Sequence, residues 1–482
     1  MNNETSSKAD LTVLKDIEQN KEIIRQILPV KKSFDIIEKD IIIGSKKAYM
    51  VFIDGFVKDD IMLRILEALF PIEDADITIE ELIQQKIPYI EVETFTDFKL
   101  MQKMVLSGAV ALLVDGQDQG ILIDAREYPV RSPEEPDLEK VTRGSRDGLV
   151  ETIIFNTALI RRRLRDPNLI FEIKSIGKRS QTDVVIAYLK DFADNKLLEE
   201  IKEKLDNVNV GALVMAEKTL EELLIKKHWY NPLPQAKFSE RPDVVAAHLM
   251  EGHIAIIVDT SPSVMILPAT MFHFTQHAED YYQNIAVGTY IRWVRFLGML
   301  SAFIILPLWL LMVTNKQFLP EFLQFLGPKE ESNIPLFLQF ILLEFGLDIL
   351  RFSSIHTPSA MTTSLGIIGG LMLSEFAVEV GLFVPETVLY MALAGIGTYA
   401  TPSAEFAMAI RIFRLLLLIL TGLFNIYGFV AAIIIICLIT FTTGSFKNAK
   451  KYTWPLIPFD GKALSHILFR KPIPKIHHEK EL

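Results

Sequence analysis

Four carboxylates lie within or beside the apolar stretches of the C-terminal third, where an ionised side chain needs water or a charged partner. Glu344 and Asp348 are four residues apart and Arg351 follows three residues later, while Glu375 and Glu379 are also four apart. On a helix this spacing places each set on one face. Because an isolated charge in hydrocarbon costs several kcal/mol, such a face must meet water or counter-charges. In a closed oligomer, rings of these carboxylates would line a cation-selective path.

A second interpretation of the same carboxylates needs no oligomer. They could lie at the ends of membrane spans or form ion pairs within one chain, with Arg351, Arg411 or Arg414 as partners. The sequence leaves both interpretations open, because it shows neither the packing of the helices nor the number of subunits.

Residues that could bend or break a membrane span occur in the same region. Pro307, Pro358 and Pro385 lie in or beside apolar runs, where a missing N–H group interrupts the helical hydrogen bonds. Gly370 belongs to a group of small residues that would let two helices approach closely. We therefore predict a hinge or gate at these four positions.

The residue patterns that support covalent chemistry are missing from the sequence. His273 and His277 have the spacing of two metal ligands on a helix, but no glutamate follows the first histidine as in a zinc protease. The sequence has no GxSxG elbow and no phosphate-loop lysine. Its single cysteine, Cys437, lies in an apolar run and cannot form an intrachain disulfide. We expect no catalysis, no metal and no cofactor.

The distribution of charge separates a soluble part from a membrane part. The first 290 residues carry 35 Lys and Arg against 48 Asp and Glu, whereas no charged residue occurs from Leu415 to Phe446. An acidic balance argues against nucleic acid as a partner, since phosphates need clustered basic residues. About 20 apolar residues are enough to cross a bilayer. The last third is therefore predicted to be an all-α transmembrane domain of about five to six spans or half-spans.

The orientation of these spans follows from the positions of Lys and Arg. Basic residues cluster on one side of the predicted spans, and the N-terminus lacks the features of a cleavable signal peptide. We predict that both termini and the soluble part lie in the cytosol. The predicted spans or half-spans are residues 294–314, 335–350, 359–380, 385–402, 409–424 and 428–445.

The soluble part reads as two α/β subdomains of related plan. In each half, a β-rich run is followed by an amphipathic helical pattern and then by a pair of apolar strands. The strand segments are Ala48–Phe56, Ala109–Val114 and Gly120–Asp124 in the first half, and Asp183–Phe192, Ile254–Val258 and Val264–Leu267 in the second. This repeated order predicts a duplication.

A segment rich in proline and charge separates the two halves and leads into a predicted helix with a basic end. Arg161, Arg162 and Arg163 lie at the C-terminal end of this helix, and Arg143 lies in the segment before it. These arginines could be a solvated helix end that complements the macrodipole, or they could contact acidic surfaces of neighbouring subunits during assembly.

These boundaries divide the chain into six parts. They are a polar N-terminal segment (1–35), a first cytosolic subdomain (36–128), a linker (129–146), a second cytosolic subdomain (147–290), the transmembrane domain (291–446) and a cytosolic tail (447–482).

The linker and the helix after it carry a family resemblance. The run EEPDLEKVTRGSRDGLVETIIFNTALIRRRLRDPNL, Glu134 to Leu169, resembles the signature of the A-subunit family of bacterial spore germinant receptors. The segments Asn231–Gln235, Glu251–Pro268 and Ile291–Phe296 support this resemblance in the family's order. The C-terminal run Tyr452–Leu464 most resembles the stage V sporulation protein AF branch of that family.

This resemblance implies a place and a task for the protein. It implies residence in the inner membrane of a dormant endospore and a part in germination, as an oligomeric cation-conducting channel or its transducing subunit. The implied partners are the lipid bilayer, further copies of the chain, an additional small membrane subunit and other germination proteins. Two alternatives stay open: a secondary transporter, or a membrane-anchored interaction scaffold for the germination machinery.

Overall fold

A computed structural model of the chain describes residues 12–73, 77–126, 139–318, 321, 326–329, 333–356, 366, 369–370, 375–444 and 446–472. Two compact units divide the chain. The α/β unit comprises Met1–Lys226, Ala236–Pro268 and Phe446–Asn448, and the helical unit comprises Lys227–Gln235, Ala269–Ser445 and Ala449–Leu482.

The first half of the α/β unit is a five-stranded antiparallel sheet with the strand order β1-β2-β4-β5-β3. Its helices flank the sheet, and a short helical segment, Ile79–Glu81 followed by Leu82–Lys86, precedes β3. In chain order the elements are α1 (Ile17–Ile27), β1 (Ile36–Ile43), β2 (Lys46–Ile53), α2 (Asp59–Leu69), β3 (Val92–Phe95), α3 (Phe98–Leu106), β4 (Val110–Val114) and β5 (Gly120–Ile123).

The sequence of β4 shows why this sheet has two cores. All five residues of the strand, VALLV, are buried, because apolar residues cover the sheet on both faces. Ala111 and Leu113 face a cluster that includes Phe98 of α3, whereas Leu112 faces the cluster that includes Ile65 of α2. The alternation of side chains along a strand therefore divides one apolar run between two cores.

The second half of the unit repeats the architecture of the first. Its sheet has the strand order β6-β7-β9-β10-β8, which is the order of the first sheet shifted by five strands. The elements are α4 (Ile153–Arg163), β6 (Leu169–Ile176), β7 (Thr182–Leu189), α5 (Asn195–Asp206), α6 (Ala216–Leu224), β8 (Lys237–Ser239), α7 (Pro242–Met250), β9 (Ile254–Val258) and β10 (Val264–Leu267). The two predicted α/β subdomains are confirmed.

Equivalent hydrogen bonds show how closely the halves correspond. In the first half, the Asn20 side chain accepts from the N–H of Leu14 at 2.9 Å and donates to the carbonyl of Leu14 at 2.6 Å. In the second half, Asn156 makes the same two bonds to Val150 at 2.7 and 2.6 Å. Each buried asparagine thus holds the segment just before its helix, because its side-chain amide satisfies both the N–H and the carbonyl group of one residue there.

The hairpins of the two sheets also match. The Asp115 carboxylate accepts from the N–H of Ile17 at 3.2 Å, and Asp259 accepts from the N–H of Ile153 at 3.1 Å. The residue after each aspartate has a left-handed backbone, with φ of 81° at Gly116 and 69° at the residue after Asp259. Asp115 and Asp259 therefore each hold the helix start of their own half.

The helical unit contains six labelled helices within the described part of the chain. Short turns of helix occur at Met271–Phe274, Lys316–Phe318 and Ala377–Glu379. The helices are α8 (Glu279–Tyr282), α9 (Ile285–Thr314), α10 (Leu336–His356), α11 (Pro385–Tyr399), α12 (Ala404–Thr442) and α13 (Gly461–Leu468). By length and composition, α9 and α12 could cross a membrane. The number of spans stays a prediction, and most of the predicted span 359–380 lies outside the described residues.

Helix α12 folds back on itself at Asn425, whose φ of 55° and ψ of −133° are not helical. A Cβ atom on Gly428 would lie 1.8 Å from the carbonyl oxygen of Leu420, whereas residues eight apart in a straight helix are separated by about 12 Å. The amide of Asn425 bonds to that of Asn315, just beyond α9, at 2.5 and 3.1 Å. The 39-residue helix is therefore a hairpin of two arms, at the positions of the last two predicted spans.

The units differ from the predicted domain boundaries. Residues 269–290 were predicted to end the second cytosolic subdomain but belong to the helical unit, and two further segments differ. Helix α1 lies in the segment predicted to be polar, yet Ile17 and Ile24 are buried in the core of the first sheet. The loop Lys227–Gln235 lies within the second predicted cytosolic subdomain but belongs to the helical unit. These differences arise from burial against distant residues, which the local sequence does not show.

Candidate functional site: buried charge clusters in the helical unit

The predicted carboxylate stripe of α10 meets two arginines of α12. Nε of Arg414 donates to Oε1 of Glu344 at 2.5 Å, and Nη2 of Arg411 donates to Oε2 of Glu344 at 3.2 Å. Nη1 of Arg411 lies 2.6 Å from Oδ1 of Asp348, without the alignment of a hydrogen bond. We call these four residues the α10–α12 charge cluster.

The α10–α12 charge cluster is electrically neutral, and its Glu344–Arg414 pair is enclosed, whereas Asp348 is partly exposed. Glu344 and Arg414 are each 1% exposed, and the two carboxylates balance the two guanidinium groups. Nη1 of Arg414 also donates to the carbonyl of Ala302 in α9 at 2.5 Å and lies 3.4 Å from the hydroxyl of Thr398 in α11. The cluster therefore joins four helices. Removing one partner of the buried, hydrogen-bonded Glu344–Arg414 pair would leave the other charge buried without compensation.

The pore-lining candidates fall into two groups in this structure. Glu344 and Asp348 pair with arginines of the same chain, which is the second interpretation that the sequence left open. Glu375 and Glu379 are exposed. That carboxylates line a pore stays a prediction. Within one chain, Glu375 and Glu379 are the two candidates whose side chains are accessible to solvent.

A second charge cluster lies at the start of α9 and was not predicted. Both oxygens of Asp280 in α8 accept from Arg295, at 2.9 and 2.7 Å, and Oδ2 also accepts from Nε of Arg292 at 3.0 Å. All three side chains are buried. Arg292 and Arg295 are among the basic residues that orient the predicted spans, and their spacing of three residues on a helix, close to Asp280, is a sequence signal for this ion-pair cluster.

This second cluster also holds the segment that follows the last long helix. Nη1 of Arg292 donates to the carbonyls of His466 and Ile467 at the end of α13, at 2.8 and 3.2 Å. The indole N–H of Trp293 donates to the carbonyl of Leu468 at 3.1 Å. The C-terminal carbonyls of α13 thereby offset part of the excess positive charge of the two arginines.

The hinge candidates have different surroundings. Pro307 is buried inside α9, which continues as a helix through it. Pro385 is the first residue of α11, where proline needs no N–H partner. Gly370 is exposed, and Pro358 lies outside the described residues. A gating role at these positions stays a prediction.

Arg161 occupies a buried joint between the two α/β subdomains. Its guanidinium donates to both oxygens of Asp35, at 2.8 and 3.1 Å, and to the carbonyls of Asp166 and Leu169, each at 3.0 Å. The side chain is fully buried. This corrects the prediction for Arg161, because an enclosed guanidinium is neither a solvated helix end nor accessible to a neighbouring subunit.

The other predicted assembly arginines are nearer the surface. Arg143 and Arg162 are exposed, and Nη2 of Arg163 donates to the carboxylate of Asp147 at 2.6 and 2.7 Å. Burial of Asp147 disfavours its charge, but the bonds from Arg163 and Ser145 outweigh this and lower the pKa of the carboxyl. An assembly role for these three arginines stays a prediction.

The two histidines at metal-ligand spacing have a local structural role. Nδ1 of His273 accepts from the backbone N–H of Thr270 at 2.9 Å and thereby caps a short turn of helix. Among the residues that the structure describes, no three His, Cys, Asp or Glu side chains are grouped to hold a metal ion.

The family of the chain is decided by comparison with known proteins. The family described as Bacillus/Clostridium GerA spore germination protein matches residues 22–482. The chain belongs to this family. The resemblance seen in the sequence around Glu134–Leu169 is thereby confirmed.

Individual relatives of the GerA family agree with the branch seen in the sequence. Stage V sporulation protein AF of Bacillus subtilis (strain 168) is 40% identical over 480 residues, which cover 98% of this chain and 97% of that protein. Spore germination protein KA of the same organism is 29% identical, over 92% of this chain and 82% of its own length. These two relatives are named for sporulation and spore germination.

One solved structure is also similar to this member of the GerA family. It is the N-terminal domain of the A subunit of the Bacillus megaterium spore germinant receptor GerK3, with a TM-score of 0.42 and 25% identity. The match covers 55% of this chain and 99% of the solved domain.

Proposed function

We propose that this GerA-family protein acts in the inner membrane of the spore during germination, as an oligomeric cation-conducting channel or its transducing subunit. The family and its sporulation and germination relatives support the process. The two long apolar helices α9 and α12 support membrane association. In this proposal both termini and the α/β unit lie on the cytosolic side, and no catalytic step takes place.

One observation carries the channel part of the proposal. Glu375 and Glu379 are exposed, and they flank the exposed apolar side chain of Phe376. An ionised carboxylate on an apolar helical surface must meet water or a partner, because hydrocarbon does not solvate it. A ring of subunits would place these carboxylates around a shared water path, where they attract cations.

The proposal is tested with the full chain reconstituted into liposomes. We expect flux of monovalent cations, and a loss of selectivity for cations over anions in the double variant Glu375→Gln/Glu379→Gln. The matched control is Glu67→Gln, which removes an exposed carboxylate from α2 of the α/β unit. Cation selectivity that is the same in the double variant and the control would exclude these two carboxylates from the path.

The two competing functions predict other results in the same liposomes. A secondary transporter would give a flux that saturates with substrate concentration. A scaffold would leave the liposomes impermeable to every ion tested, and this result would refute conduction by the chain alone.

A further inference from the structure

A loop of the helical unit lies far from the other residues of that unit in sequence. Lys227–Gln235 connects α6 to β8, both of which belong to the α/β unit, yet the loop itself packs in the helical unit. The side-chain amide of Asn231 donates to the hydroxyl of Thr443 at 2.9 Å, and Leu233 is buried in a cluster that includes Phe274 and Tyr452. The loop is thus attached at the end of α12.

The tip of this loop exposes two large aromatic side chains. Trp229 is 98% exposed, and Tyr230 is also exposed. The ring of His228 stacks on that of Tyr230 at 5.3 Å, and the ring of Trp229 meets Tyr230 edge-on at 6.0 Å. An ordered pair of exposed aromatic residues, with an apolar body and a polar N–H or O–H group, has the chemistry of the membrane–water interface.

The attachment point sets the depth of the loop. Thr443 immediately follows α12, so it lies at the limit of the uncharged run. Trp229 precedes Asn231 by two positions, and two residue steps span at most about 7 Å. The headgroup layer is about 5 to 7 Å thick on each side of the hydrocarbon. If α12 crosses a bilayer, Trp229 lies within reach of the headgroups.

The same end of the helical unit carries further aromatic residues. The hairpin of α12 brings both of its ends to this side, since Phe406 near its start stacks on Phe274 at 5.9 Å. Trp293, near the start of α9, lies 5.8 Å from the ring of Phe469, and both side chains are exposed. Phe459 is exposed as well.

Lysines accompany these aromatic residues. Lys227 precedes the aromatic tip, and Lys450 and Lys451 follow Thr443 within eight residues. The ammonium group of Lys450 lies 4.0 Å from the ring of Trp454. Lysines next to aromatic residues at the end of a span complement the phosphates of anionic lipids.

We propose that the loop Lys227–Asn231 is an additional membrane contact, in which Trp229 and Tyr230 lie in the headgroup layer and Lys227, with Lys451, binds the phosphates of anionic lipids. This inference rests on the membrane location in the proposed function. It assigns a membrane-binding element to a region that the sequence places in the soluble domain, about 55 residues before α9 begins. The alternative is that a second copy of the chain covers this loop, and the following experiment distinguishes the two.

The test compares the full wild-type chain with Trp229→Phe in liposomes that contain phosphatidylglycerol. Lipids brominated near the headgroup quench tryptophans that lie in the bilayer, and iodide quenches those in water. The fluorescence of Trp229 is the difference between the emission of the wild type and that of Trp229→Phe. We expect the brominated lipid to quench this difference and iodide to leave it largely unquenched. In Lys227→Gln/Lys451→Gln we expect this protection to weaken and to depend less on the fraction of phosphatidylglycerol.

Three results would overturn the inference. Trp229 emission that iodide quenches freely in liposomes would place the loop in water. Protection from iodide in detergent that increases with protein concentration would indicate that a second copy covers the loop. Equal protection in neutral and anionic liposomes would remove the role of the lysines. Extraction by alkaline carbonate separates the two proposals. If carbonate releases the protein from the liposomes, the membrane location itself is refuted. If the protein stays in the liposomes while iodide still quenches Trp229, only the membrane contact of the loop is refuted.

Discussion

Removing the charge of Glu344 is the sharpest test of how the helical unit is held together. In the wild type, Glu344 and Asp348 balance Arg411 and Arg414. The variant Glu344→Gln keeps the size of the side chain but leaves two guanidinium groups with one carboxylate. Since Arg414 is almost fully buried, water cannot hydrate its guanidinium group in place of the missing carboxylate.

The expected loss of stability follows from this geometry. Breaking a buried ion pair by removing one partner costs about 3 to 5 kcal/mol. The single variant Arg414→Gln has the opposite imbalance and should lose a similar amount. The double variant Glu344→Gln/Arg414→Gln leaves Arg411 paired with Asp348 and is neutral again. Its loss should be smaller than that of either single variant, because no uncompensated charge stays buried.

The free energy of unfolding of the four proteins can be measured by titration with dodecyl sulfate in mixed micelles. Asp348→Asn is the matched control, since the side chain of Asp348 is partly exposed and its contact with Arg411 lacks the alignment of a hydrogen bond. We expect a clearly smaller loss for this control than for Glu344→Gln. Additive losses in the double variant, or equal losses for Glu344→Gln and Asp348→Asn, would refute the reasoning.

Three further predictions concern other parts of the structure. Asp35→Asn should lower the free energy of unfolding by about 3 to 5 kcal/mol, because it leaves Arg161 buried without a counter-charge. A loss of about 1 kcal/mol or less, as for an exposed ion pair, would contradict the buried contact between Asp35 and Arg161. Asn425→Ala should be about 1 to 3 kcal/mol less stable than Asn425→Gly, since both lose the side-chain amide but only alanine is strained at positive φ; equal melting would contradict this. Because the pKa of Asp147 is lowered in the folded protein, its ionised carboxylate stabilises the fold above the unfolded pKa of about 4, and this stabilisation is lost as the pH falls through the folded pKa. Asp147→Asn should therefore reduce the loss of unfolding free energy at acidic pH. Arg163→Lys should keep part of the wild-type pH dependence, because lysine retains the positive charge.

Local patterns identified much of the fold. The alternating apolar runs located the central strand pairs of both sheets, and the apolar runs of the last third located α9, α10, α11 and both arms of α12. The ends were less well predicted, since α9 begins nine residues before its predicted span and α10 ends six residues after its own. The duplication was also visible, because each half repeats the same order of strands and helices. These features depend on hydrophobic periodicity and length, which neighbouring residues determine.

The partners of the charged residues were not determined in the same way. The sequence left Glu344 between a pore and an intrachain ion pair, described Arg161 only as a surface residue, and did not single out Asp280. Each of these side chains finds its partner on another element, more than 60 residues away for Glu344 and 126 for Arg161. A partner at that separation is set by which helices pack together.

The sequence by itself determined the family, the two α/β subdomains and the apolar helices, since long motifs and local periodicity are properties of neighbouring residues. Only the tertiary structure decided which charges are neutralised inside the chain and that the loop Lys227–Gln235 belongs to the helical unit. The physical reason is that burial removes water as an alternative partner, so the environment of each charged or aromatic side chain depends on the segments that fold around it.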